Sequence, residues 1–555
     1  MKVRRLLAIW TAKLCSTACR LAGKQGVTLA GKLALRIDPD ILRDLASQVR
    51  EKIFVVCGTN GKTTTNNLLC SAIESEGKKL VCNHTGSNML DGVVAAFVLA
   101  AGNNGRLDAD YASIEIDEAS TVRVFPHFKP DFMVLTNLFR DQLDRYGEID
   151  ITMNLLDKAM KMAPEMKVIA NGDDALSWYL AMESGNPVVT YGITEQVFEE
   201  QDTGEIREGR FCKRCGERLE YEFYHYSQLG RYCCPKCGFA RPDVDFEAAR
   251  IDMSDGLKFD VREHVPEVVS ILESRKGEAG AAHREAGVIQ NAEAAACSGA
   301  GKVQNVEARA ARGGAGEVQH AEAGSAQGGA DKMPGTECLV HAAQLEHDRL
   351  QDTPAVVSGR RGRRSVAAVR YIAVDYKGFY NIYNILAAYS AARTAGLELD
   401  GFDRVLREFN PQNGRMEKFQ IQGTEIILNL AKNPAGFNQN ISAVMEDPRE
   451  KDLIIVINDN AQDGTDISWL WDVDFDRFAE PSVRSITVSG IRCQDMRLRL
   501  KYVDIPSELV ADVETAIRKR IADGCGNLYV LVNYTALYST RNILAAMQGK
   551  KKQEK

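Results

Sequence analysis

Aromatic side chains are scarce in this sequence and are absent from one long stretch. They make up 7% of the 555 residues, and none occurs between Phe259 and Tyr371. That stretch is rich in alanine and glycine, and a short degenerate unit that first begins at Val288 recurs in it. Repeats that stack into a folded solenoid carry a hydrophobic face, and these units have almost none. We therefore predict that residues 275–365 are a disordered Ala/Gly-rich insertion.

A long hydrophobic run is also lacking, which excludes a membrane-spanning helix of the usual length. The N-terminus carries a fairly apolar stretch, but Lys13 interrupts it, and Arg20 and Lys24 follow it. No small-residue cleavage site accompanies this stretch, which argues against a signal peptide. We predict instead that residues 1–50 form an N-terminal helical segment that begins with a basic amphipathic helix. That helix either touches the inner face of the membrane or packs on the next domain, and we expect a cytoplasmic protein.

An excess of basic residues is the third absence. The formal net charge is −7 and the isoelectric point is about 5.8, whereas a general nucleic-acid binder carries a basic surface. We therefore expect no nucleic-acid partner.

The 14 cysteines do not form a disulfide framework, because only one group of them has regular spacing. Two Cys-x-x-Cys pairs, separated by 18 residues, have the pattern of a zinc ribbon with four thiolate ligands. We predict an inserted four-cysteine zinc ribbon at 208–241, with an aromatic hairpin between the two pairs. Four protein ligands leave no open position, so we expect the zinc to be structural. The predicted ligands are Cys212, Cys215, Cys234 and Cys237.

Strand-length apolar runs alternate with helical patterns from Lys52 onward, which indicates an α/β domain with a mostly parallel sheet. A second series of such runs follows Phe419 and predicts a second α/β domain.

The first strand leads into a glycine-bearing turn and a helix. Gly58 and Gly61 let the backbone turn tightly, so that several N–H groups can face a nucleotide phosphate at the start of the helix. Lys62 would neutralise the β- and γ-phosphates, and the Thr63 hydroxyl would bind Mg²⁺. The spacing differs from the usual phosphate loop, because Val56 occupies the first glycine position.

This loop resembles that of the Mur ligases and folylpolyglutamate synthases, which carry Gly-Thr-Asn-Gly-Lys-Thr-Thr as at 58–64. Glu115, in Ile-Glu-Ile-Asp-Glu, matches the magnesium-binding glutamate of that family. The resemblance implies ATP as a substrate and Mg²⁺ at Thr63 and Glu115, with Asp117 and Glu118 as weaker candidates. Lys62 and Glu115 are also expected to act in catalysis by electrostatic stabilisation. The residues implied to bind ATP are Gly58, Thr59, Asn60, Gly61, Lys62, Thr63, Thr64, Asn384 and Arg415.

Later motifs extend the resemblance. Asn384 ends a Gly-Phe-Tyr-Asn-Ile-Tyr-Asn motif, and Arg415 lies in Gly-Arg-Met-Glu, while Gln142 stands where the family has a histidine. The implied fold is α/β, with a Mur ligase-type central ATP-binding domain at 51–418 that carries the ribbon. A C-terminal Rossmann-like α/β domain would occupy 419–555.

Two departures narrow the resemblance within the family. The loop begins too early to leave room for a domain that binds uridine diphosphate. Asn-Leu-Ala-Lys-Asn-Pro at 429–434 replaces the Asp-Tyr-Ala-His type of motif found in amino-acid-adding ligases. Together with the cysteine module and the acidic segment at 458–466, these departures resemble the MurT family of lipid II isoglutaminyl synthase subunits. The resemblance implies ATP-dependent amidation of the D-glutamate α-carboxylate of the lipid II stem peptide through an acyl phosphate, in peptidoglycan biosynthesis.

The resemblance also implies a separate source of ammonia. Cys57, Cys493 and Cys525 lack the context of a nucleophile, so the ammonia must be free or supplied by a partner. A GatD-type glutaminase would form a heterodimer with this chain through the C-terminal domain. An aspartate of this chain would complete the partner's Cys-His triad, with Asp466 as first choice and Asp463 as second.

Two other hypotheses remain open from the residues. One is an amino-acid-adding ligase of the Mur or folylpolyglutamate type, against which Gln142 and Asn429 count. The other is a zinc-ribbon ATPase that acts as a scaffold or nucleic-acid-binding protein, against which the acidic isoelectric point counts.

Overall fold

The chain begins with three helices that pack on one another and on the adjoining domain. The computed structural model describes residues 2–21, 26–83, 87–140, 149–198, 208–266, 364–375, 378–409, 416–460 and 463–549. The three helices are α1 (Lys2–Leu21), α2 (Val27–Ile37) and α3 (Ile41–Ala46). A side chain at Gly31 of α2 would collide with the Asp91 carbonyl, so glycine allows α2 to pack closely. The basic helix expected from the sequence is α1, and its buried side joins the neighbouring core through Ala8, Ile9 and Ala12.

The central domain is built on a parallel sheet with helices on both faces. In its first strand, Ile53 and Val55 enter one hydrophobic core, while Phe54 and Val56 enter the other. This alternation is what a strand buried on both faces requires. The strands are β1 (Lys52–Cys57), β2 (Leu80–Cys82), β3 (Tyr111–Glu115), β4 (Phe132–Leu135), β5 (Lys167–Asn171) and β6 (Val188–Ile193). The helices are α4 (Lys62–Ser75), α5 (Leu90–Ala100), α6 (Thr121–Val124), α7 (Ile149–Met162) and α8 (Ala175–Glu183).

The cysteine module is a small two-stranded unit, β7 (Glu220–Tyr226) and β8 (Leu229–Cys233), paired antiparallel. This is the hairpin that the sequence predicts between the two cysteine pairs. Its aromatic side packs on α8 through Tyr232 and Phe239.

Three further strands extend the sheet beyond β6; β9 is parallel to β6, and β10 is antiparallel to both β9 and β11. The order of the nine strands is β11-β10-β9-β6-β5-β4-β1-β3-β2. The added elements are β9 (Phe246–Asp252), β10 (Leu257–Pro266), β11 (Arg364–Val374), α9 (Tyr380–Thr394) and α10 (Phe402–Glu408). The predicted insertion needs one correction, because Arg364 and Ser365 pair with the end of β10 and belong to β11. The rest of the insertion lies outside the described residues.

The C-terminal domain has a six-stranded sheet of order β12-β13-β17-β14-β15-β16. All neighbours are parallel except β12 and β13, so the domain has the Rossmann-like character expected from the sequence. Its strands are β12 (Glu417–Ile421), β13 (Thr424–Leu430), β14 (Lys451–Val456), β15 (Val483–Ser489), β16 (Glu508–Leu509) and β17 (Asn527–Val532). Its helices are α11 (Pro434–Met445), α12 (Cys493–Tyr502), α13 (Val513–Ala522) and α14 (Tyr534–Gly549). Among the helices described, none combines the length and the apolar character that a membrane crossing requires.

Candidate active site

The phosphate loop joins β1 to α4 as the sequence predicts. Gly58 and Gly61 have φ values of 120° and 84°, a region of backbone space that favours glycine. A side chain at Gly58 would collide with the Thr136 hydroxyl, and one at Gly61 would collide with Asn384. Both glycines are therefore required by conformation and by space.

Residues that follow β4 hold this loop in place. The Thr59 amide donates to the Asn137 carbonyl at 2.7 Å, and the Asn60 amide donates to Asn137 Oδ1 at 2.9 Å. The Thr136 hydroxyl donates to the Asn60 carbonyl at 2.8 Å. Thr64, at the start of α4, is buried. These three hydrogen bonds thus fix the backbone of the loop against the segment that follows β4.

Lys62 forms a buried ion pair with Glu118. Its Nζ lies 2.9 Å from Glu118 Oε1, which also accepts the Gly58 amide at 2.8 Å. Burial opposes the charge of Lys62, but the neighbouring carboxylates, Glu118 first, outweigh it and raise the pKa of the ammonium group. Two donors of the loop already converge on one anionic oxygen, as the binding of a phosphate would require.

Glu115 lies at the end of β3, next to the start of α4. Its Oε2 accepts the Thr63 hydroxyl at 2.8 Å, and its Oε1 accepts Asn88 Nδ2 at 3.0 Å. Oxygen ligands of this kind suit Mg²⁺, which usually takes one or two carboxylates beside phosphate oxygens. Asp117 is also buried and accepts the Ala119 amide at 3.2 Å, so its carboxylate caps the turn after β3.

Of the remaining residues of the predicted ATP site, only some belong to the described part of the chain. Asn384 lies against the loop, where its Oδ1 accepts the Thr65 hydroxyl at 3.4 Å. Arg415 and Gln142 lie outside the described residues.

A cavity of about 420 Å³ opens between the phosphate loop and the C-terminal domain. Its far wall is formed by the Asn-Leu-Ala-Lys-Asn-Pro segment and the helices that follow. The segment at 429–434 therefore faces the loop, as an acceptor-binding wall would. The lining residues of the C-terminal domain are Asn429, Leu430, Ala431, Lys432, Gly436, Gln439, Asn440, Tyr534, Leu537 and Tyr538.

One pair of amides joins the two walls. Asn433 Nδ2 donates to Asn60 Oδ1 at 3.2 Å, and Asn60 Nδ2 lies 3.5 Å from Asn433 Oδ1. Asn433 also caps α11, because its Oδ1 accepts the Gly436 amide at 2.8 Å. The first turn of α11 is thereby tied to the phosphate loop.

The four cysteines predicted to bind zinc come together, and their Sγ atoms all lie within 4.8 Å of one another. Cys212 and Cys237, like Cys215 and Cys234, have Sγ atoms 3.5 Å apart. A tetrahedral zinc–thiolate site has sulfur atoms about 3.8 Å apart, so the cluster fits the ion with little adjustment.

The ribbon is anchored next to the nucleotide loop. Gln228, in its hairpin, donates through Nε2 to the Leu138 carbonyl and to Asp174 Oδ1, both at 2.7 Å. His225 Nδ1 lies 2.7 Å from the Tyr383 hydroxyl, and Tyr226 lines the cavity. Burial lowers the pKa of His225, which favours the neutral ring in this contact.

The two candidate aspartates of the C-terminal domain differ in their bonding. Asp463 is buried, and its carboxylate accepts the Asn460 and Thr535 amides at 3.2 and 2.7 Å, together with the Thr535 hydroxyl. Asp466 is half-buried, and its Oδ1 accepts the Ser468 amide at 2.8 Å. Among the described residues, Asp466 Oδ2 has no hydrogen-bond partner.

Sequence reasoning missed Asn88, Lys432 and Tyr226 as lining residues of the cavity. Asn88 had a partial signal, because it follows a strand-length apolar run, and ligands of α/β sheets bind beyond the carboxyl ends of the strands. Lys432 lies in the Asn-Leu-Ala-Lys-Asn-Pro motif, which by itself indicates no role for the lysine. Tyr226 had no signal beyond the aromatic pattern of the hairpin.

Fold and site together define a class of protein, the ATP-dependent ligases of the Mur type. Residues 56–232 match the family described as the Mur ligase middle domain, and residues 430–537 match the one described as MurT ligase C-terminal. The chain is 30% identical over 538 residues to "Lipid II isoglutaminyl synthase (glutamine-hydrolyzing) subunit MurT" of Staphylococcus aureus (strain COL), covering 96% of both chains. It is 28% identical over 531 residues to the protein of that name from Streptococcus pneumoniae (strain ATCC BAA-255 / R6), covering 94% of this chain and 93% of that one. The chain belongs to the MurT family.

Solved structures support the fold. A pseudomurein peptide ligase type C from Methanothermus fervidus superposes with a TM-score of 0.57 at 18% identity, over 91% of this chain and 80% of that one. A MurF structure from Acinetobacter baumannii gives a TM-score of 0.53 at 12% identity, over 93% and 80%.

Proposed function

We propose that this chain is the ligase subunit of a lipid II isoglutaminyl synthase. It would amidate the α-carboxylate of D-glutamate in the lipid II stem peptide, with ATP as the energy source, in peptidoglycan biosynthesis. The observation that carries the proposal is the likeness to the amidating subunits over 96% of both chains. The cavity between phosphate loop and C-terminal domain supports it, since residues of both domains line it, as a site that brings a nucleotide and an acceptor together would require.

ATP would bind with its phosphates on the loop amides and on Lys62. Thr63 and Glu115 would hold Mg²⁺, which offsets the charge of the phosphates when it is bound. Asn384 and Arg415 are proposed as further contacts to the nucleotide. A preformed loop lowers the cost of ordering, and its donors stabilise charge as it develops on the transferred phosphoryl group.

The reaction would proceed in two steps. An oxygen of the substrate carboxylate attacks the γ-phosphorus, the bond to the β-phosphate oxygen breaks, and ADP leaves. Ammonia then attacks the acyl carbon of the acyl phosphate, phosphate leaves, and the nitrogen gives up a proton to form the amide. Because water would hydrolyse the acyl phosphate, the second step needs a closed cavity.

The ammonia would come from a GatD-type glutaminase in a heterodimer with this chain. We assign Asp466 to the partner's Cys-His pair, since its Oδ2 has no hydrogen-bond partner among the described residues and could accept the N–H of the histidine and hold its orientation. Asp463 is the second choice, because both of its carboxylate oxygens already accept hydrogen bonds within its own domain. The C-terminal domain would form the contact with the partner.

Zinc would be structural and held by the four cysteines of the ribbon. Four thiolates close the coordination shell, so the ion would add no catalytic position. Its removal should loosen the hairpin that carries Gln228 and Tyr226.

Because the proposed substrate is anchored in the membrane, the reaction would take place at the membrane surface. We propose a cytoplasmic chain that acts peripherally at the inner face of the membrane.

The test is an amidation assay with the purified chain, lipid II, ATP and either glutamine plus a candidate glutaminase or an ammonium salt. Mass spectrometry should show the small mass decrease that replacement of OH by NH₂ causes, together with ADP. A product heavier by an amino acid would support an adding ligase instead. ATP hydrolysis without any modified lipid II, even with ammonium, would overturn the proposal.

A further inference from the structure

One face of α1 carries a row of exposed apolar side chains. Val3, Leu7, Trp10, Leu14 and Leu21 recur at the three-, four- and seven-residue spacings that align side chains along one side of a helix. Leu14 is 73% exposed and Leu21 is 86% exposed. We call these five residues the α1 stripe.

The α1 stripe is not the side by which the helix packs. The opposite side of α1 carries Ala8, Ile9, Ala12 and Ser16, all of which are buried. Arg5 pairs there with Asp44 of α3. The helix is therefore fixed on the protein mainly by this face, and the stripe faces outward except at Trp10, which is half-exposed and whose Nε1 donates to the Asn103 carbonyl at 3.0 Å.

Positive charge surrounds the stripe. Residues 2–37 contain no aspartate or glutamate, although the whole chain has a net charge of −7. Arg4 and Arg20 on α1, and Lys32 and Arg36 on α2, are exposed. A basic helix with an exposed apolar face and a tryptophan is typical of helices that lie in the interface of a bilayer. Its charge is complementary to anionic lipid headgroups.

The stripe ends near the cavity. A side chain at Gly26, just before α2, would collide with Cys19, so the end of α1 lies against the start of α2. Thr28, two residues further, lines the cavity, and so does the half-exposed Met89. A lipid-linked substrate held at a membrane under α1 would have its headgroup beside the cavity mouth.

We propose that the α1 stripe is a docking surface for an anionic lipid bilayer, which the helix enters with its apolar side chains while the flanking basic residues contact the headgroups. The proposed function enters this inference at one point: membrane docking would bring the cavity close to a membrane-anchored substrate.

The experiment is co-sedimentation of the full chain with vesicles of equal parts phosphatidylglycerol and phosphatidylcholine, beside vesicles of phosphatidylcholine alone. We expect binding to the anionic vesicles that weakens as salt is added. Leu14→Glu should weaken binding by about tenfold or more, because a charge replaces an inserted side chain. Arg20→Gln should weaken it by about fivefold at low salt.

Two control variants make the result specific. Leu14→Phe keeps an apolar side chain and should bind like the wild type. Ile151→Glu changes an apolar residue of α7, outside the stripe, that is 53% exposed, and should also leave binding unchanged.

Equal binding of Leu14→Glu and wild type would overturn the proposal, as would binding that ignores lipid charge. The proposal would also be overturned if, without vesicles, Leu14→Glu abolished self-association of the chain or its binding to the glutaminase. Amidation of detergent-dispersed lipid II separates this inference from the proposed function. If that activity is present while vesicle binding is not, only the docking surface is wrong. If binding is present without activity, only the function is wrong.

Discussion

The phosphate loop of the central domain and the 463–468 loop of the C-terminal domain differ in how fully their polar side chains are hydrogen-bonded. We call the first the complete site and the second the incomplete loop. At the phosphate loop, amides, hydroxyls and carboxylates satisfy one another, and Lys62 is buried against Glu118. In the other loop, Asp463 is equally well bonded, but Asp466 keeps one oxygen without a partner among the described residues.

This difference separates two tasks within one chain. A site whose groups are held before binding can activate a carboxylate with ATP by itself. Asp466 is half-buried, and its second oxygen, which has no partner within the described residues, could accept a donor from another molecule. The proposed amidation would thus be self-sufficient in its use of ATP and dependent on a partner for ammonia.

The largest effect should come from damage to the complete site. We expect Lys62→Ala to lower turnover by about 10³-fold or more, because it removes the cation that we propose to stabilise the transferred phosphoryl group. The loss should be the same with glutamine and with ammonium as donor, measured as ADP release and as amidated lipid II. Lys78→Ala, which removes a half-buried lysine paired with Glu51, is the control and should change neither rate. Turnover by Lys62→Ala with ammonium would show that the complete site does not depend on this residue.

A variant of the incomplete loop should affect turnover with glutamine and turnover with ammonium differently. We expect Asp466→Asn to lower glutamine-dependent turnover by about 10²–10⁴-fold, because the histidine of the proposed partner would lose the carboxylate that we assign to its orientation. Ammonium-dependent turnover should persist, since the ATP site is untouched.

Asp463→Asn is the matched variant for this loop. It should cost about 1–3 kcal/mol of domain stability, because two amides and a hydroxyl lose a carboxylate acceptor. Turnover with glutamine and turnover with ammonium should then fall by the same factor. If Asp463→Asn instead abolishes only the glutamine reaction, the two aspartates have been assigned in the wrong order.

Removal of the metal would test whether the complete site depends on the ribbon. Chelation of zinc, or Cys234→Ser, should unfold the ribbon locally. The dissociation constant of ATP should rise by about tenfold, ~1.4 kcal/mol, because Tyr226 lines the cavity and Gln228 binds the Leu138 carbonyl. Metal analysis and calorimetric titration with ATP measure the two effects. Unchanged ATP affinity in the zinc-free chain would mean that the site needs no support from the ribbon.

Much of the complete site could be predicted from the sequence because its parts are local. A strand, two glycines, a lysine and a helix lie within one short segment, and the cysteine spacing defines the ribbon by itself. Gly58, Gly61 and the four cysteines are therefore where local patterns place them.

The missed residues depend on chain topology. Asn88 reaches Glu115 only because β2 lies next to β3, which no local pattern reveals. Lys432 and Asn433 face the loop only because two domains fold onto each other. The sequence also left open which side of α1 packs, since apolar residues occur on both sides of that helix.

The smallest effect should come from the contact that joins the two walls, Asn433 to Asn60. Asn433→Ser removes the amide that reaches Asn60 but keeps a side-chain oxygen that can cap α11. We expect the KM for ATP to rise by about two- to tenfold, the size of one or two ordinary hydrogen bonds, with no loss of stability. Asn433→Ala removes the cap as well and should also lower the stability of the C-terminal domain by about 1 kcal/mol. The two variants thus separate the inter-domain contact from the helix cap. Equal KM values for Asn433→Ser and wild type would show that other residues hold the two walls of the cavity together. ATP binding would then not depend on the contact between Asn60 and Asn433.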